Sequence, residues 1–386
     1  MPLSENNAGR SAWTGWIVLF LVTAAIIASG SGRTVVPAYH DGAVDWIAGK
    51  TLFANTGVGG FIYLPQAAIL FIPLALLPVV AGEVVWRFVN IGVFAFGIFH
   101  FAGLVRGNLG KGLFPLMTLV TLPLAWDCAR NGQATLIITG LMLLAVVDIV
   151  RTRWWRVVLW LCLGVAVKPL VIVLALLVMV IDRPLSWRLL VGMLMTALFP
   201  FLTQHPGYVL EQYAAFWNSL TMAVHVGSVD KGWTTPFNAL QLAGVTVPER
   251  AQTLLRLAAA LGTLVLCRLS RLRHDAVRSA VFVFSLSVVY LMLFSPRTEN
   301  NTYAMLGPAI AVFLAGVYLV EQRRGEGLLL SCMAGAILGG RVIERLLTPH
   351  AGTSWVSPLV AVCFTAYLMV RFVREMQGAR QQEQGL

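Results

Sequence analysis

Four stretches put ionisable side chains where an otherwise apolar chain would exclude them. Asp41 and Asp45 stand four residues apart in Asp41-Gly42-Ala43-Val44-Asp45. Asp127-Cys128-Ala129-Arg130-Asn131-Gly132-Gln133 supplies an acid, a cation and two amides. Lys168 stands before Pro169 in the middle of an apolar run. Ser295-Pro296-Arg297-Thr298-Glu299-Asn300-Asn301-Thr302-Tyr303 supplies a second cation–acid pair. Carboxylates with several separate cations point to an anionic ligand with a proton-transfer step nearby. A phosphate would be held by Lys168 and Arg297 through charge-assisted hydrogen bonds. A carboxylate can take the proton of a hydroxyl.

Each group also has a plainer reading. Asp41 would serve as the N-cap of a helix over 42–54. Asp45 would pair with Lys50 or sit in water, and Arg297 with Glu299 would be a surface loop pair. Lys168 would snorkel to the headgroups. Asn131-Gly132 would be a turn. Both readings stand at this point.

A membrane scaffold must position these groups. The chain has 386 residues, 58% of them hydrophobic and only 12% charged, whereas a soluble domain is about a quarter charged. The net charge of +11 lies in short basic runs between apolar segments. That pattern suits topology and anionic headgroups rather than nucleic acid. Cys128, Cys162, Cys267, Cys332 and Cys363 are scattered and odd in number, which fits neither a disulfide framework nor a metal site. Trp13–Gly30 reads as a retained first helix rather than a signal peptide.

Apolar runs fall at about 13–31, 83–105, 113–125, 133–150, 155–167, 169–181, 187–203, 250–267, 278–295, 303–320, 327–346 and 355–372. Several are shorter than the ~20 residues of a full span. Lys168-Pro169 predicts a break between two short helices, because a lysine in hydrocarbon is expensive and proline disfavours helix before it. With about twelve spans and cytoplasmic termini, most of the 28 basic residues fall in cytoplasmic loops. That count requires 64–80 not to span. Residues 32–82 then form a large first extracytoplasmic loop with surface helices near 42–54 and 64–77. In the first of these, Val44, Ile47, Ala48, Thr51 and Leu52 would make the apolar face. A second outer loop covers 205–248, with Tyr208, Tyr213, Trp217, Trp233 and Phe237 suited to a membrane interface or to stacking on a sugar. The expected organisation is a single integral membrane domain over 1–386. No short repeat, glycine-rich phosphate loop or zinc spacing is present in the sequence.

The run Asp41-Gly-Ala-Val-Asp-Trp-Ile-Ala-Gly-Lys-Thr-Leu52, then Phe61-Ile-Tyr-Leu-Pro65, Pro73-Leu-Ala-Leu-Leu-Pro78 and Trp86…Asn90, resembles glycosyltransferase family 87. Asn131-Gly-Gln133, Gly164…Lys168-Pro169 and Ser295-Pro296 with Pro308 also look like landmarks of that family. Its members are GT-C-fold membrane enzymes, among them polyprenyl-phosphate-mannose-dependent mannosyltransferases. This chain departs from the pattern in three places. Asp45 stands where a tyrosine is usual, Leu64 replaces a proline, and Asn301 and Thr302 stand where many members carry histidines.

The resemblance implies an all-α, GT-C-like polytopic protein, a polyprenyl-phosphate sugar donor and a reaction on the outer membrane face. It implies Asp41 as catalytic base. The substrate-binding candidates are Asp45, Tyr63, Arg130, Gln133, Lys168, Arg297, Glu299 and Asn301. The expected reaction moves mannose, another hexose or a pentose to a lipid or glycan acceptor in the cell membrane, most simply a bacterial inner membrane. No metal ligand or required cofactor is expected; a divalent cation is compatible but not implied, and no nucleic acid is involved. Two other classes stay open. A twelve-span transporter or lipid flippase would use its carboxylates for protons, though its charges would gather near the midplane and its halves would often repeat. A non-catalytic subunit with the enzyme fold is the third.

Overall fold

Backbone polar groups have no water to bond in lipid, so long apolar segments cross a membrane as helices. The computed structural model of this chain is built from sixteen α-helices, with no strand among the described residues. The structure describes residues 3–30, 34–54, 60–109, 112–225, 234–295, 298–348 and 354–384. The protein is an all-α polytopic membrane protein. Its contacts divide it into two compact units, Met1–Val226 and Gly227–Leu386.

Unit 1 holds α1 (Leu3–Ala28), α2 (Val36–Ile47), α3 (Pro65–Ala75), α4 (Val79–Leu109), α5 (Leu113–Asn131), α6 (Thr135–Val150), α7 (Trp154–Val167), α8 (Ile172–Ile181), α9 (Arg183–Leu198) and α10 (Pro206–His225). Its core is α6, buried on every side from Thr135 to Ile149. That explains why α6 carries no amphipathic pattern: a helix surrounded by protein has no polar face to show. Trp16 fastens α1 to α5 by donating its Nε1–H to Thr118 Oγ1 at 3.2 Å. The expected break falls at Lys168. Its backbone is extended, and Pro169–Val171 adds a single 3₁₀ turn before α8.

Unit 2 holds α11 (Pro236–Leu242), α12 (Glu249–Arg273), α13 (Ala276–Phe294), α14 (Leu306–Gly316), α15 (Arg324–Leu347) and α16 (Val356–Gln384). Its buried core is α13 with α14. Side chains close the helix starts. Asp275 Oδ1 accepts from the Val277 and Arg278 amides at 3.0 and 2.9 Å. Glu344 Oε1 accepts from the Trp355 and Val356 amides at 2.8 and 2.9 Å. Such caps satisfy donors that a helix start leaves without partners.

Among the described residues, eight helices are long and apolar enough to cross a membrane. Four further apolar helical segments are shorter: Pro65–Ala75, Thr135–Val150, Trp154–Val167 and Pro169–Ile181. The expected twelve counted such short runs as spans. As expected, the run after Phe61 is not a spanning helix: α3 has 11 residues, about 17 Å of rise.

One local expectation is corrected. The helix near Asp41 covers Val36–Ile47, not 42–54. Pro37 sits in its first turn, where a proline has no amide to leave unsatisfied. Its buried stripe is Val36, Tyr39, Ala43 and Trp46, at spacings of three, four and three. Val44 and Ile47, expected on the apolar contact face, are exposed at 44% and 52%. The sequence carries apolar residues on two faces of this helix, and the aromatic one wins the protein side. The aromatic-rich stretch 205–248, expected as a loop, contains the helices α10 and α11.

Candidate active site

The start of α2 is docked on the turn between α5 and α6. Gly132 ends α5 with φ +67°. Its amide bonds Ala129 C=O at 3.3 Å, and the Gln133 amide bonds Cys128 C=O at 3.1 Å, the paired closure of a glycine-terminated helix. A side chain at 132 would strike Val36 and the Arg87 guanidinium. The turn then becomes a receptor. The Val35 amide donates to Asn131 C=O at 3.0 Å. Trp86 Nε1–H donates to Gly132 C=O at 2.7 Å. Asn90 clamps the start of α6, giving its amide to Gln133 C=O at 2.6 Å and accepting from the Ile137 N–H at 2.7 Å.

Arg87 completes this joint. It is fully buried, paired with Glu83 at 2.9 Å, and donates to Thr34 Oγ1 at 3.0 Å and to Arg130 C=O at 3.2 Å. Tyr39 adds a second contact. Its hydroxyl lies 2.9 Å from that of Tyr63, and its ring stacks on Phe71 and tilts against Trp86. Tyr63 is therefore buried in the aromatic support of α2. Gly42 lets α2 approach closely, since an added Cβ would meet the Phe61 ring at 2.5 Å.

The other end of α2 is fastened to the α9–α10 connection. Trp46 donates Nε1–H to Thr203 Oγ1 at 3.2 Å, and its C=O accepts from Gln204 at 2.7 Å. Gln212 Oε1 accepts from the Leu52 amide at 2.9 Å. Tyr208 packs on Trp46 and donates to Lys50 C=O at 2.6 Å. Burial, and then the Asp45 carboxylate, push the Tyr208 phenol up to about 12. Asp45 is half-buried, and its join to Lys50 runs through backbone, Lys50 N–H to Asp45 C=O at 2.9 Å.

Asp41 lies between these anchors. It is the sixth residue of α2, so it does not cap the helix. Its side chain is 74% exposed, and Oδ1 lies 3.3 Å from His40 Nδ1. An exposed carboxylate on a helix held at both ends can meet a hydroxyl without moving its backbone. His40 was not a candidate from sequence. Nor was the Glu83–Arg87 pair, although a Glu and an Arg four apart in an apolar run are a readable signal.

The remaining candidates are distributed. Arg130 faces Asp127 across 3.7 Å, both about one-third exposed. Gln133 is buried at the α6 start. Lys168 is half-buried at the α7 break. α3 lies against both α2 and α7, so one short helix separates the element carrying Asp41 from the element ending at Lys168. In unit 2, Asn301 is buried and accepts from Arg341 Nη2 at 3.3 Å. The Glu299 C=O accepts from the Thr302 amide at 2.9 Å. Tyr303 is buried, and its hydroxyl reaches Thr234 C=O at 2.9 Å. Arg297 lies outside the described residues. Among the described residues, no three His, Cys, Asp or Glu side chains gather where a metal ion could be held.

A family model described as Glycosyltransferase family 87 matches residues 61–296, well over half of the chain. The matched stretch includes Tyr63, Arg130, Gln133 and Lys168; α2 with Asp41 precedes it, and Arg297, Glu299 and Asn301 follow it. No curated protein matches the chain.

Proposed function

The chain belongs to glycosyltransferase family 87 and is a membrane glycosyltransferase; from that premise we propose that it takes its sugar from a polyprenyl-phosphate donor, with Asp41 as base. The observation that carries this reading is the exposed Asp41 carboxylate on a helix fixed at both ends, beside His40. In the proposed step Asp41 removes the proton from an acceptor hydroxyl. The oxygen attacks the anomeric carbon as the bond to the phosphate oxygen breaks. The electron pair leaves with the polyprenyl phosphate, and Lys168 stabilises the charge that develops there.

A phosphate leaving group already near its charged state needs little acid help, so one carboxylate suffices. A single displacement on a β-linked donor gives an α-linked product. The sugar is mannose, another hexose or a pentose, and the acceptor is a lipid or glycan. Asp45, Tyr63, Arg130 and Gln133 are assigned to substrate binding or to holding the site. Arg297, Glu299 and Asn301 carry that assignment on sequence grounds. The step requires no cofactor. We place the reaction on the outer face of the cell membrane, with both termini in the cytoplasm, because that orientation puts most of the basic loops inside.

The test incubates the purified protein with a panel of short-chain polyprenyl-phosphate sugars and measures release of polyprenyl phosphate. Release with at least one donor, coupled to glycosylation of an added acceptor, is the expected result. A protein that consumes none of the donors, but moves an anionic solute on a proton gradient, would be a transporter.

A further inference from the structure

In unit 2, α12 meets its neighbours along a thin line. Only 11% of its spanning stretch is buried, the least among the eight spanning helices. Its fully buried residues are Cys267 and Ser270. His274 follows them at spacings of three and four, so the three side chains form one stripe along the last two turns.

His274 lies in the short turn between the spanning segments Glu249–Arg273 and Ala276–Phe294, yet its side chain is only 3% exposed. The ring stacks on Phe282 of α13 with centroids 5.1 Å apart, and it meets Phe372 of α16 at right angles at 5.4 Å. Nδ1 lies 3.0 Å from Ser270 Oγ. Nε2 has no hydrogen-bond partner among the described residues. It faces Glu375 Oε2 of α16 at 3.8 Å. The other Glu375 oxygen accepts from Arg371 Nε at 2.7 Å, and Arg371 also donates to both oxygens of Glu321. The remaining charged groups that act on the ring are Arg278 and Asp275 at the start of α13, which pair with each other at 3.3 Å. Arg271 and Arg273 belong to the same turn of α12 as the histidine. From α14, Phe313 packs on Phe282 and brings no charge.

This setting suits a neutral imidazole. Protonated at Nε2, the ring accepts from the Ser270 hydroxyl at Nδ1. A second proton must go to Nδ1, where it turns the Ser270 hydroxyl round. It also places a cation beside two phenyl rings, with no carboxylate in hydrogen-bond reach. Burial holds the imidazole below its ordinary value of 6.5; Glu375 and Asp275 oppose that shift, and Arg278 adds to it. The folded chain therefore takes this proton less readily than the unfolded chain. The stability His274 lends is full above about pH 6.5 and is lost as pH falls from there towards the folded value.

We infer that His274 is a pH-sensitive latch, which seats the end of α12 on α13 and α16 while the ring is neutral and releases it when the ring is protonated. In the orientation proposed above this end of unit 2 is cytoplasmic, so the latch reads cytoplasmic acidification. It uses none of the residues assigned to sugar transfer and does not depend on that reading.

Cys267 is a native reporter, since it is fully buried on the same stripe. The test treats the full chain in neutral detergent with dithiodipyridine at pH 7.5 and 5.5 and follows the label on Cys267 by peptide mass spectrometry. Each rate is divided by that of the detergent-denatured chain at the same pH. The normalised rate should rise several-fold on acidification, with a ceiling of about tenfold set by a histidine that titrates near 6.5 once released. His274→Gln should show no rise. Glu375→Gln, which removes the carboxylate that supports the imidazolium in place, should bring the rise closer to the ceiling. A flat wild-type rate, or an equal rise in His274→Gln, would overturn the inference. Where His274→Gln does not fold, a rise no larger in Glu375→Gln than in wild type would overturn it.

Discussion

His40 Nδ1 stands 3.3 Å from Asp41 Oδ1, so two neighbouring residues of one short helix bring an imidazole to the candidate base. A carboxylate that accepts a proton in the transition state benefits from a partner that can orient it or pass the proton on. His40→Gln should therefore lower kcat by about tenfold and leave the donor KM close to wild type. A variant with wild-type kcat would leave His40 as a packing residue beside Asp41.

The buried Glu83–Arg87 pair makes a prediction about folding. Removing one partner of a buried ion pair strands the other, at about 3–5 kcal/mol. Glu83→Gln should depress the thermal midpoint in detergent strongly. The double variant Glu83→Leu, Arg87→Met should recover part of that loss. A double variant no more stable than Glu83→Gln would mean that the Arg87 bonds to Thr34 and Arg130, rather than the charge pair, hold the joint.

Tyr208 links the end of α2 to α10 and supplies a pH dependence with a fixed sign. Its phenol is pushed from 10.0 up to about 12 by burial, with Asp45 adding to the shift. The folded chain thus holds this proton more tightly than the unfolded chain. The stability it contributes is full below about pH 10 and is lost as pH rises towards about 12. Tyr208→Phe should lower stability by about 1 kcal/mol at neutral pH through loss of the bond to Lys50 C=O. Its midpoint should fall less steeply than wild type between pH 9 and 11. Parallel curves for the two proteins would contradict this.

Lys168 tests the phosphate side of the reaction. Lys168→Gln should raise the donor KM by about tenfold or more, since it removes a charge-assisted bond to the leaving phosphate. Expression and membrane insertion should stay close to wild type. A lysine that only snorkels to the headgroups would show an unchanged donor KM in the same assay.

Much of this arrangement is readable in the sequence. The helical class follows from composition, and the break at Lys168-Pro169 from proline's effect on the preceding residue. Trp86, Asn90 and Asn131-Gly132-Gln133 stand out in the sequence through the family resemblance, and in the structure they form one joint under α2. The sequence misled at α2 itself. Apolar residues occur on two of its faces, and periodicity alone cannot say that Tyr39 and Trp46 face the protein while Val44 and Ile47 do not. Gly42 is needed because the Phe61 ring, nineteen residues on, fills the space a side chain there would take. Long-range contacts of this kind leave no local trace. Eight helices among the described residues are long and apolar enough to cross a membrane, and shorter apolar helices such as α6 stand beside them, buried on every side from Thr135 to Ile149.

The proposal stands or falls on Asp41. Asp41→Asn keeps the size of the side chain and its capacity to accept a hydrogen bond, and the residue is 74% exposed, so the fold should not change. Turnover of a polyprenyl-phosphate sugar by purified Asp41→Asn, measured beside wild type and Asp45→Asn, should fall by ~10²-fold or more, because an amide cannot take the hydroxyl proton. Donor binding should persist, and Asp45→Asn should lose less. Wild-type turnover in Asp41→Asn would contradict the assignment of Asp41 as base.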